Sequence, residues 1–509
     1  MTRIPRAWTR TAMSICTNCA APISARPLTL ESLRARLDEL ELLLKALNTE
    51  RNLLLAESRA VTYPVLTLPN EITTQIFLHC VEDAKRPDGH SRPIPADSPL
   101  LLTRVCRSWR AIALNTPALW SQVAVRNGLS PEILNMWLQH ATPLPMDLYI
   151  LLNNPELSSP LVDLCLAHAK YWRNVSFCIP SIEYLRLKDA FDHPELDLPL
   201  LSEVKFSFTH ASSADRWSDA ILAIRRAPAL KKVEVLTPPK TIPITVDWSQ
   251  LTHLRHLTGV RIGTCLEILA QCLALEELVL ETYCDEDLDK ASIVSLYRDT
   301  PIILPHLRQF SCLLQNAQSP LLYLTLPALV DLTTRYNGVE ATTTILSAFF
   351  RRSAPPLRRI QLSVDGFPVD ALLQTLDVLP SSVETAEFSL GRNENSLSQL
   401  LGALAIESST GWGFRAIPAL RKLCLHLQMG PIEPSQYEAL LALLRVRPRV
   451  VHVEAHHRLR VVGPDWGISK PPKAVVDAFR EMGVSRGLRV KVRVLGMMSR
   501  HLKVWNFGA

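Results

Sequence analysis

At 509 residues and 57.0 kDa, with 47% hydrophobic and 20% charged residues, the chain can bury a large core and reads as about two to four globular domains. Its net charge of +6 is spread along the sequence, without the clustered basic stripe and interleaved aromatics of a nucleic-acid binder. Mean hydropathy is +0.10, and no apolar run is long enough to cross a membrane or to serve as a secretory signal.

Residues 1–28 carry Arg3, Arg6, Arg10 and Arg26 and no acid before Glu31. That composition resembles a mitochondrial transit peptide, but Pro5, Pro22 and Pro27 interrupt any long amphipathic helix, so the segment reads as a disordered tail. Cys16 and Cys19 make one Cys-x-x-Cys pair. A structural zinc site needs four ligands, and no second pair lies nearby. The other cysteines, among them Cys165, Cys178, Cys265, Cys272, Cys312 and Cys424, sit in apolar runs. They read as small buried hydrophobes in a reducing compartment, cytoplasmic and/or nuclear.

In 29–57, Leu30, Leu33, Leu37, Leu40, Leu44 and Leu47 recur at alternating steps of three and four. This is the a/d seam of a heptad helix, broken at Arg51 and resuming at Leu54. Such a seam either docks on the next domain or pairs with a second copy as a homodimer. Tyr63-Pro64 ends it. A compact helical region follows over 62–122. Its first helix contains Pro69 in the opening turn and Ile72, Ile76 and Cys80 on one stripe beside Phe77. Residues 82–98 read as a loop rich in proline and charge. A single second helix then carries Leu101, Val105, Trp109 and Ile112 on one face, and a short turn holds Thr116 to Trp120.

From about residue 144 the chain becomes repetitive. Strand patterns of the form Leu-x-x-Leu-x-Leu begin at Leu201, Leu230, Leu275, Leu357 and Leu420, with Trp172-x-x-Val175-x-Phe177 as an earlier copy. Looser copies begin at Leu254, Leu307, Leu329, Val383 and Val450, and the mean step of about 28 residues is that of leucine-rich repeats. Helices are expected between them at Trp217–Arg226, Thr343–Arg351, Val369–Leu379, Ser396–Ile406 and Tyr437–Leu444, the last with a capping box at Ser435 and Glu438. Proline two residues before the leucine (Pro228, Pro305, Pro327, Pro418) sets the turn into a strand. Strand–helix alternation at this period predicts an α/β fold: a parallel sheet in an irregular curved solenoid over 145–495, followed by a tail at 496–509. The asparagine or cysteine that builds the usual buried hydrogen-bond ladder of such repeats is absent from nearly every copy.

Leu68-Pro69, Glu71, Ile76-Phe77, Val105-Cys106-Arg107-Ser108-Trp109 and Leu119-Trp120 occur in the order of the F-box motif, and this segment resembles an F-box. A leucine-heptad helix, an F-box and degenerate leucine-rich repeats together resemble an expanded fungal F-box family. The resemblance implies a three-helix F-box that docks a Skp-type adaptor, and through it a cullin, through Leu68, Pro69, Glu71, Ile72, Ile76, Phe77, Val105, Cys106 and Trp109. It further implies a repeat domain that holds an unknown target protein for ubiquitination. Leu68, Pro69, Ile72, Ile76 and Phe77 are more apolar surface than a small three-helix unit can hide, whereas Val105 and Trp109 are expected in its core.

With only 17 glycines, the chain has no dinucleotide fingerprint, P-loop, nucleophile elbow or metalloprotease motif. His253 and His256, His456 and His457, and the acidic run Asp285, Glu286, Asp287 and Asp289 lack partners at ligand spacing. The expectation is a non-enzyme without cofactor or metal. The rival reading is a binding solenoid whose F-box is only an N-terminal cap.

Overall fold

Between residues 30 and 60 the chain contains neither proline nor glycine, and leucine, alanine, arginine and glutamate dominate. In the computed structural model this stretch is one helix, α1 (Leu30–Ala60). Thr29 opens it: its Oγ1 accepts from Ser32 N at 3.4 Å and its carbonyl accepts from Leu33 N at 3.1 Å. The helix passes Arg51 unbroken, so the interruption there belongs to the seam and not to the backbone.

The structure describes residues 29–60, 64–82, 98–152, 155–180, 187–209, 222–236, 244–258, 262–281, 291–314, 319–336, 342–363, 367–390, 396–406, 416–427, 434–447, 450, 452–459, 473–486, 488–496 and 502–507. They divide into two units, 1–75 and 76–509. The first holds α1, a 3-10 turn at Pro64–Thr67 and the start of α2 (Asn70–Glu82). Thr73 N donates to Pro69 O at 3.0 Å, which makes Pro69 the residue just before the helix rather than part of its first turn. The segment 1–28 with its Cys-x-x-Cys pair, the 83–97 part of the expected loop and the acidic run at 285–289 lie outside the described residues.

The second unit is dominated by a sheet whose strands follow chain order. They are β1 (Gln122–Arg126), β2 (Met146–Leu151), β3 (Trp172–Pro180), β4 (Glu203–Thr209) and β5 (Lys232–Leu236). Next come β6 (His253–Thr258), β7 (Glu277–Glu281), β8 (Gln309–Leu314), β9 (Asp331–Tyr336) and β10 (Arg359–Ser363). β11 (Thr385–Leu390), β12 (Lys422–Leu427), β13 (His452–Leu459), β14 (Arg489–Gly496) and β15 (Leu502–Phe507) complete it. Among the described residues these fifteen form one sheet, each hydrogen-bonded to its sequence neighbour. The pairing is parallel up to β14, and β15 closes antiparallel on β14. The sheet therefore begins before residue 145 and continues beyond 495 into the segment read as a tail. Two short parallel pairs, Leu222–Ala223 with Ile244–Thr245 and Ile302–Ile303 with Leu324–Thr325, lie apart from it.

The register explains why the leucine pattern repeats. The fourth position of each copy forms one rank across the sheet, in which Val175, Val204, Val233, Leu254, Leu278 and Phe310 stand beside one another, continuing to Val490. Every member named is buried. At about 1.5–3 kcal/mol per buried apolar side chain, this rank outweighs any polar contact on the sheet. Leu254 occupies this middle rank, so the copy expected to start there starts at Leu251, also buried.

The entry to each strand is fixed by the main chain. Lys231 N and Lys232 N both donate to Ser202 O, Thr252 N and His253 N to Lys231 O, and Glu276 N and Glu277 N to Thr252 O, at 2.8–3.0 Å. The same double bond recurs at Arg308 and Gln309, Val330 and Asp331, Arg358 and Arg359, Glu384 and Thr385, and Arg421 and Lys422. These paired bonds satisfy the backbone groups at each strand entry without any side chain. Ahead of it sits a turn with proline at its second position. Leu230 N returns to Ala227 O at 3.1 Å and Leu420 N to Ile417 O at 3.2 Å.

Helices connect many strands: α5 (Pro131–Ala141), α6 (Pro155–Leu166), α7 (Ile262–Leu269), α8 (Ala291–Asp299), α9 (Thr342–Ser353), α10 (Val369–Asp377), α11 (Ser396–Ala405), α12 (Pro434–Val446) and α13 (Lys473–Arg486). Ahead of them, the 98–114 stretch holds α3 (Ser98–Val105) and α4 (Arg107–Leu114). Of the helix expected at 217–226, residues 217–221 lie outside the described residues, and Leu222–Ala223 is a strand. The capping box does not form: Pro434 already opens α12, placing Ser435 inside it. Two arginines stitch consecutive layers. Arg447, 2% exposed, donates to Ile417 O at 2.8 Å and to Ala416 O, and Arg352 donates to Leu321 O at 2.6 Å and Leu324 O at 2.7 Å. Burial pushes the Arg447 guanidinium down to about 10.

Candidate functional site

The stretch Ser98 to Leu114, expected as one helix, is two: α3 (Ser98–Val105) and α4 (Arg107–Leu114). Cys106 breaks it. Its backbone is extended (φ −154°, ψ 172°), and its Sγ accepts from Trp109 N at 3.4 Å, capping α4. Arg110 Nε donates back to Thr103 O at 2.7 Å and so serves a carbonyl left free at the end of α3.

The break changes which side chains face inward. Pro99 is buried, and Leu100 and Leu102 pack on the core, while Leu101 and Val105 are exposed, Val105 by 60%. Val105, expected in the core, is thus on the surface. Phe77, expected on the surface, is 1% exposed and meets Trp109 edge-on with ring centroids 4.9 Å apart. The reason is packing: an eight-residue helix after Cys106 turns Trp109 and Ile112 toward the core, where both are half-buried, and Phe77 is the large ring that packs against Trp109. Trp109 Nε1 is buried without an acceptor among the described residues. Leu119 and Trp120 are fully buried in the same cluster as the sheet. Trp120 Nε1 donates to Ala113 O at 2.8 Å, and Trp137 Nε1 donates to Trp120 O at 2.9 Å.

On the remaining predicted positions, Leu68, Pro69 and Glu71 are exposed, as are Ile72 at 49% and Ile76 at 43%. Cys106 is half-buried and committed to its cap. Ile72 and Ile76 stand one turn apart on α2, so they share its side.

A second polar surface runs along the sheet. One residue before the buried rank, and so on the opposite face, Asp147, Asn174, Glu203, Lys232, His253 and Glu277 stand in register, and Asp331 and Arg359 lie on the same row. Ion pairs cross it: Arg173 clasps Asp147 through two bonds of 2.9 and 2.7 Å, Lys205 lies 3.0 Å from Glu234, and Arg255 lies 2.7 Å from Glu277. Arg359 reaches Glu387 at 2.6 Å, with His426 3.6 Å away. His426 beside it, aided by Arg359 against burial, holds the Glu387 carboxyl below its ordinary value; burial raises the Asp331 carboxyl. Pairs with both partners exposed contribute about 0–1 kcal/mol each, and those of the buried Asp147 and Glu387 somewhat more, so the sheet is held chiefly by its other side.

Glu387 and Asp331 should respond differently to neutralisation. Because its folded pKa is depressed, Glu387 adds stability above its unfolded pKa of about 4.3, and that stability is lost as pH falls through the folded value. Glu387→Gln should cost about 1–2 kcal/mol at pH 7 and progressively less as pH falls below the unfolded value. Asp331→Asn should cost less at pH 7, since burial disfavours that charge. Denaturant melts at pH 7 and at acid pH check this, and an equal cost at pH 7 would refute it.

His253, read without a partner at ligand spacing, lies with its Nε2 3.7 Å from Glu277 of the neighbouring strand, and burial lowers its pKa. No group of three potential metal ligands occurs among the described residues. No described helix is long and apolar enough to cross a membrane. β1 and β14, which the leucine pattern did not reveal, were announced by strict alternation in Gln-Val-Ala-Val-Arg and Arg-Val-Lys-Val-Arg-Val.

A search of curated proteins finds no match to the chain. The family model for F-box-like domains matches residues 65–126, the span that contains α2, α3, α4, the Leu119-Trp120 anchor and β1. Residues 65–126 are an F-box-like domain.

Proposed function

We propose that this chain is the substrate-recognition subunit of a Skp-cullin-F-box ubiquitin ligase. The F-box-like domain docks a Skp-type adaptor and thereby a cullin, and the sheet domain, a degenerate leucine-rich-repeat solenoid, holds the target protein. The observation that carries this is the division of labour inside residues 65–126. Phe77, Leu119 and Trp120 are buried and Trp109 packs against them, yet Ile76, Leu101 and Val105 remain exposed in the second unit, and Leu68 and Ile72 in the first. Apolar side chains left outside a completed core mark an interaction surface. Ubiquitin transfer belongs to other subunits. This chain supplies proximity and orientation, without an active site or cofactor of its own, in the cytoplasm and/or nucleus.

The capping role has its own support, because Leu119 and Trp120 belong to the buried cluster of the sheet. The two roles use different side chains and are compatible: the inward set closes the sheet and the outward set binds. Calorimetric titration of a purified Skp-type adaptor into the full chain separates ligase subunit from cap alone. Micromolar or tighter affinity is the expected result, and no heat of binding would leave only the cap.

A further inference from the structure

We infer that α1 pairs with α1 of a second copy of this chain as a parallel, in-register two-stranded coiled coil. Its seam positions are Leu30, Leu37, Leu44 and Arg51 at a, with Leu33, Leu40, Leu47 and Leu54 at d. The seven leucines are each 44–65% exposed. They line one stripe over about 36 Å of helix, at 1.5 Å per residue. Two such stripes bring on the order of 1,000 Å² of apolar side chain together, the scale of a specific interface.

The flanking charges say which partner and which direction. In a parallel pair each g position faces the e position of the following heptad on the other helix. Arg36 is at g and Glu41 at the next e, so the copy supplies an acid to each Arg36 and a base to each Glu41. The remaining g–e pairs (Thr29 with Arg34, Leu43 with Asn48, Glu50 with Leu55) contain no like charges. Arg51, the one polar seam residue in this stretch, faces the same arginine of the second copy, and each guanidinium is offset by the Glu50 that the other helix presents beside it. An antiparallel pair with the same overlap would instead set Glu41 against Glu41. Arg36 already pairs within its helix with Glu39, one turn on, and both side chains are exposed, leaving the guanidinium's other face for the partner.

Sedimentation of the full chain over a range of concentrations should show a monomer–dimer equilibrium. Arg36→Glu should weaken dimerisation about tenfold, since two symmetric attractions become repulsions. Glu41→Arg should do the same, and the double variant should recover affinity to within about threefold of the unaltered chain. Both positions are solvent-facing, and circular dichroism confirms that the helix persists in each variant. A monomer at all concentrations, a trimer, or a dimer indifferent to both reversals would overturn the inference. So would rescue of Arg36→Glu by Glu50→Arg in place of Glu41→Arg, the signature of the antiparallel arrangement.

Discussion

Ending the chain at residue 300 should lower its melting temperature by roughly 20 °C and broaden the transition. The cut falls after α8 and removes β8, whose Phe310 and Cys312 stand in register with Leu278 and Leu280 of β7. Leu275, Leu278 and Leu280 are now buried. Without β8 their side chains would meet water along an unpaired strand edge. Losing about 2 kcal/mol at each of three or four such side chains removes roughly 6–8 kcal/mol, half or more of a typical domain's stability. For a fragment of this size each kcal/mol shifts the midpoint by about 2–4 °C. The open edge also lacks the kind of cover that β15, a short antiparallel strand, gives β14. Calorimetry of the fragment beside the full chain tests this. A sharp transition at an undiminished temperature would show that neighbouring strands do not depend on each other for their core.

The double change Ile72→Ala and Ile76→Ala should weaken adaptor binding at least thirtyfold while leaving the melt of the sheet in place. Both side chains are exposed in the free chain, so truncating them leaves no cavity, and alanine favours the helix. Truncating an anchor that becomes buried in an interface costs about 1–2 kcal/mol or more, and each ~1.4 kcal/mol is tenfold in affinity. Phe77→Ala is the informative contrast. Phe77 is buried against Trp109, and its loss should cost about 3–5 kcal/mol of stability. Its effect on affinity would then follow from a disturbed domain, visible in the melt. Titration and thermal unfolding of all three chains discriminate between these. Unchanged adaptor affinity in the isoleucine double variant would remove α2 from the interface and favour the capping role.

The sheet was legible in the sequence because its core rank repeats with period two inside each strand, and proline-led turns restart it. A fourth-position residue such as Val204, Leu278 or Ile360 has one buried direction available whatever its neighbours are. The α1 seam and the order of F-box motif residues were legible for the same reason: both rest on spacing along one helix or a few adjacent turns. The offset at Leu254 shows the limit of spacing alone, since Leu251 and Leu254 are both buried and only strand pairing says which rank each joins.

What the tertiary structure decided was which of several equally apolar side chains go inside. The sequence offers Leu100, Leu101, Leu102 and Val105 as near equivalents. The break at Cys106, held by its own sulfur and by Arg110, turns Leu101 and Val105 outward. Phe77 goes inward because Trp109 is there to receive its ring. Arg447 is buried because two carbonyls in the turn at Ala416 and Ile417, thirty residues earlier, need donors. Such choices depend on partners distant in sequence, and desolvating a carbonyl or leaving a ring without neighbours costs more than any local preference. Periodicity along the chain determined the elements of this protein; contacts between them determined which apolar side chains stayed exposed.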